Sequence, residues 1–187
     1  NTNSKPTIVY AGQLTENRGV HTLIQAAKLL PKVNIKIVGG EPNDIERLLL
    51  LAKKIKVYNI SFIGHVLPNK VPEYLHSANA LVLPMSGENT HTSYHASPSK
   101  LFEYMATGVP IIASDLPSIR EVLTNEKSAI LVRPDDSHAL AAGINRVLSN
   151  KSLANRIGSQ SKVDSELYTW ERRVKRVLEA ATGSDEI

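Results

Sequence analysis

The residues best suited to chemistry gather in two loops and one short helical pattern. Residues 84–100 read PMSGENTHTSYHASPSK, rich in Ser, Thr, Asn and His. Hydroxyls and backbone N–H groups in such a loop suit a diphosphate; a polar surface loop is the plain alternative, since long loops in compact domains are either functional or mobile. Lys100 ends the loop and brings positive charge into the first turn of a helical pattern over 99–107, which Gly108 stops. Glu103 follows one turn later among apolar Leu101, Phe102, Met105 and Ala106. A partly buried carboxylate there needs a hydrogen-bonding partner. A pair of ribose hydroxyls would serve, and so would plain solvent if Glu103 is a surface residue. The second loop, AGQLTENRG over 11–19, has Gly12 for close backbone approach and Arg18 beside the start of the next helix, an arrangement fit for phosphate. It is not G-x-G-x-x-G, so from this loop alone Gly12 and Gly19 as turn residues with a solvated Arg18 are the favoured reading. His91 and His95 are four apart, a zinc spacing on a helix. Their segment reads as a loop without a third ligand, and no metal is expected. No Ser-His-Asp order, paired-carboxylate motif or Walker A sequence is present.

The elements that must carry these loops alternate. Apolar runs at 7–10, 34–38, 60–63, 80–83, 109–113 and 129–132 predict six strands, and their near-continuous apolarity predicts burial on both faces of a parallel sheet. Between and after them, helical patterns run over 20–30, 43–56, 68–77, 99–107, 117–123, 136–148, 152–159 and 169–181. Val20, Leu23, Ile24, Ala27 and Leu30 share one helix face. The expected fold is an α/β, Rossmann-like three-layer α/β/α domain on a six-stranded parallel sheet. Ligands of such folds bind at the carboxyl ends of the strands. The last helix places Trp170 with Val174, Val177 and Leu178, which reads as core or as a surface docking on another domain. Its Arg172, Arg173, Lys175 and Arg176 also suit an anionic membrane surface.

Composition sets outer bounds. The 187 residues suffice for one domain with a full core. There is no cysteine, which excludes disulfide and thiolate chemistry in these residues and agrees with a reducing compartment. No apolar run approaches the roughly 20 residues that span a bilayer. Net charge is only +4, with 5% aromatic residues. That charge is mild and interspersed, unlike the concentrated basic stripe of nucleic-acid binders, and no nucleic acid is expected.

The ordered set YAGQLTENRGVHTLIQAAKLL, IKIVGG, ISFIGHV, YLHSANALVLPM, SPSKLFEYMATGVPIIASD and YTWERRVKRVLEA covers nearly the whole chain. It resembles the C-terminal, donor-binding half of GT-B glycosyltransferases, in the large retaining family known as family 4 or group 1. The resemblance implies that Gly12 and its loop approach the donor phosphates and that Arg18 stands where the family has a Lys or Arg on the diphosphate. It implies that Gly39 and Gly40 border the nucleotide pocket, and that His65 and Val66 present backbone groups to the base. Ser99, Lys100 and Leu101 would meet the diphosphate at the helix start, with Arg18 and Lys100 the catalytic cations. Glu103 matches the second glutamate of the E-x7-E motif, which binds ribose. Two positions depart from the family pattern: Gln13 replaces the usual Arg of G-R-L, and His95 replaces the first, sugar-facing glutamate.

The resemblance further implies a nucleotide-diphosphate sugar as substrate, with no metal or other cofactor. It implies a separate N-terminal acceptor domain, absent from these residues, and a parent chain about twice as long. The acceptor would be a glycan, a lipid or a small molecule. A cytoplasmic location is expected, with peripheral association at the inner face of a membrane as one use of the basic last helix. Two alternatives stay open: a non-catalytic nucleotide or nucleotide-sugar binding module, which Gln13 and His95 favour, and a nucleotide-sugar epimerase-type GT-B relative.

Overall fold

A computed structural model describes residues 5–88 and 99–182 of the chain. Its six strands are β1 (Thr7–Ala11), β2 (Asn34–Val38), β3 (Ile60–Gly64), β4 (Ala80–Leu83), β5 (Ile111–Ser114) and β6 (Ile130–Val132). All pair in parallel, in the order β3-β2-β1-β4-β5-β6. The α/β three-layer expectation holds. The order reverses between β1 and β4, so the crevice for a ligand opens beside the end of β1.

Alternate residues of a strand point to opposite faces, and here both faces are covered. Ile8 and Tyr10 of β1 pack with Leu23 and Ile24 of α1 (Val20–Lys28), Leu48 of α2 (Pro42–Lys54) and Ile144 of α6 (Ser137–Ser149). Val9 and Ala11 pack on the other side with Leu75 of α3 (Val71–His76), Leu101, Tyr104 and Met105 of α4 (Ser99–Thr107), and Ile119 of α5 (Pro117–Arg120). That double burial is why β1 reads as an unbroken apolar run. The helix α7 (Lys151–Ser165) runs six residues beyond the expected end at Ser159. Its buried stripe continues through a small polar residue: Leu153, Ile157 and Ser161 follow at i, i+4 and i+8, with Ser161 fully enclosed. Strand β5 starts at Ile111, two residues later than expected, because Pro110 has no N–H to give the ladder; it contributes only its carbonyl, to the Leu81 N–H at 2.9 Å.

In the last helix, α8 (Trp170–Thr182), Trp170 is 78% exposed and Val174, Val177 and Leu178 are exposed with it. The core reading of Trp170 is therefore corrected. The Arg173 guanidinium of the same helix lies over its ring, 5.5 Å from the ring centre.

The loops after β1 and β4 are laced where the sheet order reverses. A short 3-10 turn, Glu16–Arg18, ends at Gly19, whose φ of 66° lies in the left-handed region. A Cβ on Gly19 would stand 1.7 Å from the Pro84 carbonyl oxygen. The Ser86 N–H also donates to the Asn17 carbonyl at 3.1 Å. Only glycine permits this approach, and α1 starts directly from it. Gly19→Ala is therefore expected to destabilise the fold by about 2–4 kcal/mol through strain plus overlap. Denaturant unfolding measures this, and a loss below the low end would count against the close contact.

Candidate functional site

A cleft of 730 Å³ opens at the carboxyl ends of β1, β2 and β3, between α3 and α4. That volume suits one organic ligand of moderate size. The floor is backbone. The Gly12 N–H donates to the Val38 carbonyl at 2.8 Å, and the Gly39 N–H to the Gly64 carbonyl at 2.7 Å, so the first three loops are joined in series. Gly39 has φ 103°, and a Cβ on it would stand 2.4 Å from the Gly12 carbonyl oxygen. Side chains are excluded from the floor, and polar backbone faces the cleft.

Two tyrosines fix the first loop from below. The Tyr104 hydroxyl accepts from the Ala11 N–H at 2.7 Å and lies 3.3 Å from the Ala11 carbonyl, to which it donates. The Tyr10 hydroxyl donates to the Gln13 carbonyl at 2.5 Å. Burial pushes the Tyr104 phenol far above its ordinary value, opposed by the Ala11 N–H and reinforced by nearby Tyr10 and Glu103. Burial also raises Tyr10, and the Arg18 charge opposes it. From above, Arg47 of α2 donates to the Leu14 carbonyl at 3.0 Å while pairing with Asp44 at 3.3 Å.

The helix α4 supplies the charged groups. Leu101, Tyr104 and Met105 bury one of its faces in the core. Lys100 and Glu103, three apart, lie on the face turned to the cleft. The Lys100 stem crosses over Gly12: a Cβ on that glycine would stand 3.0 Å from Lys100 Cε. Neither side chain forms an ion pair among the described residues. Glu103 is exposed rather than partly buried, because Leu101, Tyr104 and Met105 turn to the core and it does not.

Of the residues singled out from the sequence, Gly12, Gln13, Gly39, Gly40, His65, Val66, Lys100 and Glu103 line this one cleft. Ser99 is exposed at the start of α4, and the Leu101 side chain is fully buried, so these two can offer the cleft only their backbone. Arg18 stands half-buried behind Gln13, its guanidinium donating to Gln13 Oε1 at 3.5 Å, and does not line the cleft. His91 and His95 lie outside the described residues. Sequence reasoning missed Tyr10, Tyr104, Asp44 and Arg47, and it missed the apolar wall of α3, where Val71 and Leu75 face the cleft. Tyr104 directly follows Glu103, a signal that was available; Arg47 and Leu14 are 33 residues apart, and no pattern joins them. The cleft thus combines a cation over bare backbone, an exposed carboxylate one turn away, and an apolar slot walled by Val66, Val71 and Leu75.

The family described as "Glycosyl transferases group 1" matches residues 1–164. The chain belongs to that family. Among curated relatives, an uncharacterized glycosyltransferase of Methanocaldococcus jannaschii is 28% identical over 175 residues, covering 91% of this chain and 43% of the relative. Among solved structures, sucrose-phosphate synthase from Thermosynechococcus elongatus superposes with a TM-score of 0.81 at 26% identity, over 95% of this chain and 46% of that one. HepE of Anabaena, in complex with UDP-glucose, shares the fold with a TM-score of 0.83 at 18% identity, over 97% of this chain and 49% of that one. The chain thus spans less than half the length of each of these proteins.

Two outcomes follow from the tyrosine clamp. Tyr104→Phe leaves the buried Ala11 N–H without its partner and is expected to cost about 1–3 kcal/mol in denaturant unfolding. Both tyrosines are also raised above the ordinary 10.0 in the folded state. Below that pH both states stay protonated. Above it the unfolded chain releases protons that the folded chain keeps, so stability falls by up to about 1.4 kcal/mol per pH unit per tyrosine. Unfolding followed through alkaline pH should show this fall, and Tyr10→Phe/Tyr104→Phe should flatten it.

Proposed function

We propose that the cleft binds a nucleoside diphosphate sugar and holds its diphosphate as leaving group while the glycosyl unit passes to an acceptor. The observation that carries this reading is the pair on α4: Lys100 lying over the bare backbone of Gly12, and Glu103 exposed to the same cleft one turn on. The diphosphate sits by Gly12 under Lys100, with the first N–H groups of α4 and the helix dipole adding positive potential. Glu103 accepts from the ribose hydroxyls. The base fills the slot of Val66, Val71 and Leu75, beside the exit of β3. Arg18 acts through Gln13, whose amide replaces a fixed charge with a neutral contact. Family membership and the UDP-glucose complex of HepE, the same fold, support the choice of substrate class.

Negative charge grows on the departing diphosphate as the glycosidic bond breaks. Fixed positive groups aimed there lower the barrier, and orientation of donor against acceptor supplies much of the rest. In this reading the charge comes from Lys100, Arg18 and the start of α4, without a metal ion. Retention of configuration and an N-terminal acceptor domain belong to the same proposal, drawn from the resemblance to the retaining group. The span of relatives about twice as long supports the second domain. The exposed apolar face of α8 is a fitting surface for it. A second reading, nucleotide binding without transfer, is favoured by Gln13 where a cation is usual.

Calorimetric titration with UDP, GDP and ADP tests the proposal. One of the three should bind. Glu103→Ala is expected to weaken it roughly 10- to 100-fold, the worth of a charged hydrogen-bonded contact. Lys100→Ala should weaken the diphosphate while leaving the nucleoside unchanged. No heat with any of the three, or unchanged affinity in Glu103→Ala, would sink the reading. Transfer by a longer chain carrying an acceptor domain separates the first reading from the second.

A further inference from the structure

Among the described residues, the amino ends of β1, β2 and β3, opposite the cleft, carry charge of one sign. Between residues 17 and 72 the acidic residues are Glu41, Asp44 and Glu46. All three stand at or just before the start of α2, on the cleft side. Five of the seven lysines of the same stretch collect at the other pole; Lys36 lies within β2, and Lys70, between β3 and α3, pairs with Glu73. Lys28 ends α1, Lys53 and Lys54 end α2, Lys32 lies in the turn before β2, and Lys56 lies in the turn after α2 with φ 60°. Lys5, just before β1, joins them. All six are exposed, and none forms an ion pair among the described residues. Two helix C-termini need some positive charge nearby, but six lysines without an acid exceed that need.

The pole also has shape and apolar surface. Lys5, Lys28, Lys56 and Tyr58 line a hollow of 330 Å³. Its wall is rigid: the Asn59 side-chain amide donates to the carbonyls of Ala27, Leu30 and Val33, at 3.2, 2.8 and 2.9 Å. Those bonds occupy the carbonyls at the end of α1, which would otherwise face an anion. Tyr58 is 83% exposed, and Leu50, 60% exposed, sits one turn before Lys53 and Lys54.

We propose that this pole is a docking surface for an anionic phospholipid bilayer. Clustered lysines answer the surface charge of anionic headgroups. Their stems cover apolar surface while the ammonium groups stay in water, and a tyrosine suits the headgroup level, with an apolar ring and a polar tip. Among the described residues no helix is long and apolar enough to cross a membrane, so attachment here is peripheral. Docked this way, the cleft faces away from the bilayer and stays open to donor and acceptor. The proposal is independent of the donor reading, because no residue of the pole lines the cleft.

Sedimentation with vesicles of phosphatidylcholine, alone or mixed with phosphatidylglycerol, tests it. Binding is expected to the mixed vesicles only and should weaken as salt is raised. Lys28→Ala/Lys54→Ala/Lys56→Ala should lose roughly 100-fold in affinity, at about fivefold per lysine. Circular dichroism and nucleotide titration of that variant should match the parent, which separates loss of docking from loss of fold or of donor binding. Arg172→Ala/Arg173→Ala/Lys175→Ala on α8 should leave vesicle binding unchanged. The proposal is overturned by equal binding to neutral vesicles, by no binding to mixed ones, by a lysine variant that binds like the parent, by loss confined to the α8 variant, or by duplex DNA binding as tightly as the vesicles.

Discussion

Everything at the cleft depends on how closely the backbone at the end of β1 is gripped. The Tyr104 hydroxyl, buried in the core, bonds both the N–H and the carbonyl of Ala11. The same helix turn carries Lys100 and Glu103 outward. A single buried contact therefore sets the distance between the floor of the cleft and the two charged groups above it. Gly12 and Gly39 complete the constraint. With no side chain at either, the loops after β1 and β2 meet backbone to backbone, and Lys100 can lie where a Cβ would otherwise crowd it. Loss of that grip would leave the charges present but misplaced, the commonest way for a site to be built and still not work.

Much of this was legible beforehand, and the reasons are specific. The strands were legible because both sheet faces are buried, so each run is apolar throughout. Lys100 and Glu103 were legible because a three-residue spacing on a helix puts two polar groups on one face while Leu101, Tyr104 and Met105 take the other. Trp170 misled, because an amphipathic face tells that a surface wants cover and not whether this chain supplies it. Glu103 left two readings open, partly buried or at the surface, and the exposed one holds, because sequence neighbours on a helix are not spatial neighbours. Contacts such as Arg47 with Leu14, or Gly19 with Pro84, join positions far apart, and no periodicity encodes them. His95 stands where a sugar-facing group is usual, and it lies outside the described residues.

The first three β-α units also sort their acids and unpaired lysines along the strand direction. Acids of the first three β-α units lie at the carboxyl ends of the strands, and unpaired lysines lie at the amino ends. The sorting follows partly from helix dipoles, which favour acids at the start of α2 and lysines at its end. The excess of lysine at the amino ends of β1 to β3 goes beyond that balance and gives this half of the domain two unlike ends.

The cleft draws its two halves from different parts of the chain. Backbone at the ends of β1 and β2, together with α4, forms the charged half. The apolar slot comes from one contiguous stretch, the exit of β3 and α3, ending at His76. Because β3 is an edge strand, that stretch hangs from the rim of the sheet and not from its centre. On the proposed reading, a lineage could trade one nucleobase for another by rewriting a dozen or so neighbouring codons, leaving the machinery that handles the leaving group intact.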